Sequence, residues 1–165
     1  MGSIIGSIGV ILVALSCSGL AWGEDTLPPE NLENLHMAGT IQLENGGDYS
    51  TLSLHTCALK DEFIACSFVL TSHRAQAFDY RYGMSGIWSS KLVDQFKVDH
   101  PQVRGYFLNG RGQHENVITL THNDWTWVVQ EFSGAATDIT SASLIFPGGK
   151  YFDTTVEGGI PAHSQ

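Results

Sequence analysis

Chemistry in this chain would have to come from its histidines, its carboxylates, one serine-containing loop or its aromatic side chains. The seven histidines are His36, His55, His73, His100, His114, His122 and His163. A metal site needs two or three of them to converge. His114-Glu115 and His122-Asn123-Asp124 flank one short apolar run, but no His-x-His, His-Glu-x-x-His or paired-cysteine spacing occurs. The spacing assigns no metal, and histidines scattered over the surface are the expectation. Asp94, Asp99 and Asp124 would be the ligands of a calcium ion held between loops, although no EF-hand pattern is present. Calcium is the one cofactor alternative; otherwise none is expected.

Asp94, Asp99, Glu115, Asp124 and Glu131 supply carboxylates for glycoside hydrolysis. That reaction needs two of them at a defined separation, which no sequence spacing sets. Gly83-Met84-Ser85-Gly86 approaches the Gly-x-Ser-x-Gly nucleophile elbow, but its second glycine follows the serine directly. It reads as a loop between strands. No catalytic residue is assigned.

The aromatic side chains carry the strongest signal. Trp125 and Trp127 are two apart, so on a strand they share one face. Exposed, they would form a platform for stacking on sugar rings, with Trp88, Tyr80, Tyr82 and Tyr106 as further candidates. Buried, they would be core, as tryptophans in β-sandwiches commonly are. Thr126 and Val128 on the other face do not decide between the two, and core is the favoured reading.

These residues must be positioned by strands. Short alternating apolar runs cover 37–43, 50–57, 62–70, 76–81, 91–96, 103–108, 116–122, 125–132, 142–146 and 150–156. Turn signals separate most of them: Asn45-Gly46-Gly47, Asp99-His100-Pro101, Asn109-Gly110, Asn123-Asp124 and Pro147-Gly148-Gly149. This spacing predicts an all-β domain, a sandwich of roughly seven to ten strands. No apolar stripe of helical period is sustained. Residues 89–96 are the best candidate for a helical turn.

Cys57 and Cys66 fit one hairpin. If the chain turns at Asp61-Glu62, Lys60 lies opposite Phe63 and Cys57 opposite Cys66. Counting outward makes the cysteines a non-hydrogen-bonded pair, where Cα atoms lie about 4.5 Å apart. A disulfide is predicted there. The weak point is the turn, Lys60-Asp61-Glu62-Phe63, which holds neither Gly nor Asn.

Residues 1–23 contain no charged side chain, and Ile4 opens a run of apolar and small residues that suits a secretory signal. Ala21-Trp22-Gly23 precedes Glu24 and supplies a small-x-small cleavage site. The predicted organisation is a signal peptide at 1–23, a linker at 24–35, the β-domain at 36–156 and a tail at 157–165. Three other readings of the first segment stand beside this one. Residues 4–22 are about long enough to remain as a membrane anchor. Ala14-Leu15-Ser16-Cys17 approaches a lipoprotein processing site, with Ala where Leu is usual. Gly2 invites myristoylation, but position 6 is Gly rather than Ser or Thr.

The 17 acidic and 8 basic residues all follow the charge-free segment and leave a net charge of −9. An acidic surface without a basic cluster repels phosphate backbones, so no nucleic-acid partner is expected. A membrane partner is expected only if the signal is uncleaved or Cys17 is lipidated. Secretion, or a periplasmic location, agrees with the even count of cysteines left after cleavage. No Asn-x-Ser/Thr acceptor occurs, which leans towards a bacterial source.

One stretch carries a resemblance. Leu54-His55-Thr56-Cys57 is followed by a short polar turn and by a second cysteine-bearing strand, 63–71; Ser90-Lys91-Leu92-Val93-Asp94 comes next, and Ser141-Ala142-Ser143-Leu144-Ile145-Phe146 late in the chain. From Leu52 to Phe146 this resembles exported bacterial immunoglobulin-like domains of unknown function. Gln95-Phe96-Lys97 departs from that pattern, where a Gly-Asn turn is usual. The resemblance implies an immunoglobulin-like β-sandwich and assigns no activity to any residue. The resulting expectation is an exported, non-catalytic interaction or structural domain whose partner is a protein, a glycan or the envelope. A carbohydrate-binding module using Trp125 and Trp127 is the first alternative, and a small secreted hydrolase the second.

Overall fold

A computed structural model of the protein describes residues 32, 35–45, 48–83, 89–134 and 136–159. Among them all regular structure is β. The strands are β1 (Gly39–Asn45), β2 (Asp48–Lys60), β3 (Phe63–Ser72), β4 (Phe78–Arg81), β5 (Lys91–Asp94), β6 (Asp99–Leu108), β7 (His114–Glu115), β8 (Val117–Leu120), β9 (Trp125–Ser133), β10 (Ser141–Ile145) and β11 (Tyr151–Glu157). Each of the predicted runs overlaps one of these strands, several of which extend beyond the run; β7 is the additional one. The first segment, its cleavage site, most of the linker, Trp88, Ser85 and His163 lie outside the described residues.

The β2–β3 hairpin has the predicted register. Lys60 pairs with Phe63 and Cys57 with Cys66. The two cysteines are disulfide-bonded, with Cα atoms 4.0 Å apart. The turn lacks Gly and Asn, and Asp61 takes the left-handed conformation there, with φ of 48°. Aspartate tolerates that region better than most residues.

The ladder then slips between Leu54 and Thr56. His55 is the extra residue of a bulge, and the buried side chains of β2 change parity across it, from Ser50, Leu52 and Leu54 to Cys57. A second slip, between Gln102 and Arg104, does the same on β6. His100 is buried before it and Phe107 after it.

The largest departure from expectation is the closure. Hydrogen-bonded neighbours run β2–β3–β9–β6–β5–β10–β11, and β11 returns to β2. The return is parallel and short: Val156 pairs with Cys57 and Glu157 with Ala58. The sheet is thus a seven-stranded barrel where a two-sheet sandwich was expected. Closing the ring pairs the edges that an open sheet would expose. Inside it pack Leu52, Leu54, Phe68, Leu70, Phe107, Val128, Phe132, Leu92, Leu144 and Phe152, with the disulfide among them. β4 and β8 form a separate two-stranded sheet. Its Tyr80 and Leu120 join the same core, and Tyr80 shares a 2.5 Å hydrogen bond with Ser50.

Two local readings are corrected. Residues 89–96 hold no helical turn. β5 runs through them, with Leu92 and Asp94 buried at a spacing of two, the period of a strand. Asp99-His100-Pro101 is not a turn but the start of β6, with Pro101 opposite Lys91. Proline is accepted near a strand's beginning, where a missing N–H costs little. The reversal lies just before, where Lys97 has φ of 68° and donates its N–H to the Asp94 carbonyl.

Candidate functional site

Two polar constellations stand out, one inside the barrel wall and one on its outer surface. The inner one begins at the β5–β6 hairpin. Leu92 and His100 are paired there, and Asp94 lies two residues along the same inward face. His100 Nε2 is 3.0 Å from Asp94 Oδ2, with both side chains at most 4 % exposed. The other ring nitrogen, Nδ1, lies 2.8 Å from the Ser133 carbonyl oxygen. A carbonyl only accepts, so Nδ1 carries a proton and donates it. Asp94 Oδ1 accepts the main-chain N–H groups of Phe96 and Val98 at 2.8 and 2.9 Å. Burial pushes the Asp94 carboxyl up, but the hydrogen bonds from His100 and from these amides outweigh it and hold the group below its usual value. Both ring nitrogens are engaged and the ring is sealed from solvent. The pair therefore holds the 95–98 reversal to β9. It has no free nitrogen with which to take a proton from a substrate.

A neutral network lies nearby. Ser90 Oγ donates to Gln130 Oε1 at 2.6 Å and lies 3.3 Å from Gln102 Oε1. Gln102 Nε2 donates to the Tyr82 hydroxyl. Burial pushes that phenol up to about 12, with the hydrogen bonds from Gln130 and Gln102 working the other way. Tyr82 covers Gly105 so closely that a Cβ there would fall 1.8 Å from its ring. The Ser90 hydroxyl meets two glutamine amides rather than a base, so nothing in this network activates it.

The outer constellation lies where β9 and β6 run side by side. On β9, Trp125, Trp127, Val129 and Glu131 alternate with the inward residues Thr126, Val128, Gln130 and Phe132. Across from them on β6 stand Leu108, Tyr106 and Arg104. The Arg104 guanidinium donates from Nη2 to Glu131 Oε1 at 3.1 Å and its Nε lies 3.1 Å from Oε2, while the Tyr106 hydroxyl donates to the same carboxylate at 3.2 Å. His114 stacks on Tyr106 with ring centroids 3.8 Å apart, and the guanidinium lies 5.0 Å from the Tyr106 ring. Burial and the Glu131 charge both raise the Tyr106 phenol. Arg104 and His114 are exposed, and Tyr106 and Trp125 half-buried.

The predicted tryptophans therefore share the outer face, but not equally. Trp127 is 2 % exposed. It meets Trp125 edge-on at 6.4 Å and the His55 ring at 5.5 Å. Burial of both faces at the middle of β9 is what the sequence left undecided.

The remaining candidates are dispersed. Asp99 pairs with Lys91 at 2.9 Å, and Asp124 accepts the Thr121 N–H at 2.9 Å and the Thr121 hydroxyl. The Thr121 hydrogen bonds hold Asp124 below its usual value. Glu115 accepts from Asn109 at 3.0 Å. Asp94, Asp99 and Asp124, the calcium alternative, thus each serve a different partner. His73 stacks on Tyr49, and His122 lies 3.2 Å from the Arg74 carbonyl. Among the described residues no three His, Cys, Asp or Glu side chains gather where a metal ion could be held.

Sequence reasoning missed the His100–Asp94 pair and the Arg104–Glu131–Tyr106–His114 cluster. The signal for both is register: once β5 is aligned with β6, and β6 with β9, the partners fall on one face. No family model, curated protein or solved structure matches the chain.

Proposed function

We propose that the protein is an exported, non-catalytic interaction domain that meets its partner through the outer face of β6 and β9. The observation that carries this reading is the gathering of Trp125, Tyr106, His114 and Arg104 on one side of the barrel. Aromatic rings and arginine are the side chains that concentrate binding energy at interfaces. The groups that would serve chemistry elsewhere, His100, Asp94 and Ser90, are spent on internal hydrogen bonds. Export is supported by the charge-free segment at 1–23 and by the paired cysteines. Protein, glycan and envelope components all remain partner classes. A glycan would stack on Trp125 rather than on Trp127, which is covered.

A photoactivatable residue at position 114 tests this in the producing cell. Covalent adducts should form from that position and be lost with Trp125→Ala and Arg104→Ala in the same chain. A control at Thr155, on exposed β11, should give none. Equal adducts from both positions would remove the reading. Retention on insoluble polysaccharide that Trp125→Ala abolishes would identify the partner as a glycan.

A further inference from the structure

The barrel leaves one long strand outside its ring. β1 hydrogen-bonds to β2 along one side, from Gly39 opposite Leu54 to Asn45 opposite Asp48. Among the described residues no strand pairs with its other side. Such an edge is a template for another chain, and proteins defend it with proline, with lysine or with a bulge. The β1 sequence, Gly-Thr-Ile-Gln-Leu-Glu-Asn, contains no proline or lysine, and its ladder with β2 runs without a bulge.

A lysine is supplied from elsewhere. Lys150 follows the turn between β10 and β11, and its Nζ donates to the main-chain carbonyl of Gln42, the midpoint of β1. The turn is set by Gly148 and Gly149, at φ of 85° and 79°, and by the Phe146 N–H donating to the Lys150 carbonyl at 2.8 Å. An ammonium group thus occupies the acceptor that a neighbouring strand's N–H would use.

We infer that Lys150 guards the β1 edge, and that without it a second copy of this chain pairs antiparallel through β1. A second copy is the fitting occupant because an antiparallel edge is complementary to itself about a two-fold axis. Centred on Gln42, which is exposed, such a pairing leaves Ile41 and Leu43 packed on the core. The charge of −9 on each copy opposes the association, and salt weakens that opposition.

The test measures mass by light scattering over a concentration series at high salt, for the native chain, Lys150→Arg, Lys150→Ala and Lys150→Met. Each also carries Gln42→Cys in a second set. The native chain and Lys150→Arg should stay monomeric, while the Ala and Met variants double in mass as concentration rises. In the second set, disulfide-linked dimers through the introduced thiol should form at least tenfold faster in the Ala and Met backgrounds. Monomeric Ala and Met variants with native β-sheet circular dichroism would overturn the inference. So would equal dimerisation of the native chain, or a dimer that the thiol introduced by Gln42→Cys does not cross-link.

Discussion

Two of the carboxylate pairs, one made with a histidine and one with an arginine, stand in opposite surroundings. Asp94 and His100 are sealed in the wall, and every oxygen and ring nitrogen of the pair has a partner. Glu131 and Arg104 stand on the outer surface, with the arginine side chain 57 % exposed. Water competes for the outer pair and cannot reach the inner one. A buried pair is costly to break from one side, because the remaining group is stranded, whereas an exposed pair contributes little. The inner pair therefore belongs to the architecture, and the outer one is free to serve contact.

The comparison breaks most sharply at His100. Replacing His100 by Ala strands the Asp94 carboxylate, and urea unfolding should show a loss of about 3–5 kcal/mol. A loss below about 1 kcal/mol would mean that water reaches the site after all. Trp127 and Trp125 divide the outer face in the same way. Trp127→Ala should cost about 3 kcal/mol or more, because the ring is covered, and Trp125→Ala about 1–2 kcal/mol. Equal costs would show that the two rings are equally buried.

Acid sharpens the contrast. The Asp94 carboxyl titrates below its unfolded value, which is about 3.9. Above that value the pair's contribution is fully present. As pH falls through the folded value, the unfolded chain takes up the proton first and stability declines. Asp94→Asn should flatten this acid limb of the denaturation profile, and an unchanged limb would place its origin elsewhere. The smallest effect is expected at Arg104. Arg104→Ala should change stability by about 0–1 kcal/mol while reducing capture from position 114, and a large loss of stability would make the outer pair architectural too.

Much of this fold can be read along the chain. Alternation and turn residues mark the strands, and the Asp61-Glu62 turn with the two cysteines sets one register. The closure cannot be read that way, because it rests on two residue pairs between β2 and β11. The bulges at His55 and between Gln102 and Arg104 add to the difficulty, since each reverses which side chains face inward. Asp94–His100 is hidden for a related reason: Pro101 makes Asp99-His100-Pro101 look like a turn, which takes His100 off the strand it belongs to. For Trp125 and Trp127 the obstacle is different. β9 is buried on both faces at its middle, and a pattern with no polar side cannot show which way it points.

The parallel seam also sets an order of events in time. Thr56 donates to Glu157 at 3.0 Å across 101 residues of chain. Bringing such distant segments together costs about 2 kcal/mol more loop-closure entropy than the nine-residue Cys57–Cys66 separation. The β2–β3 hairpin is local and can form within microseconds, but the ring has to wait for β11. A chain still emerging from a ribosome or a translocation channel, with β11 not yet released, holds an unfinished sheet. Its last step is a zipper of two rungs.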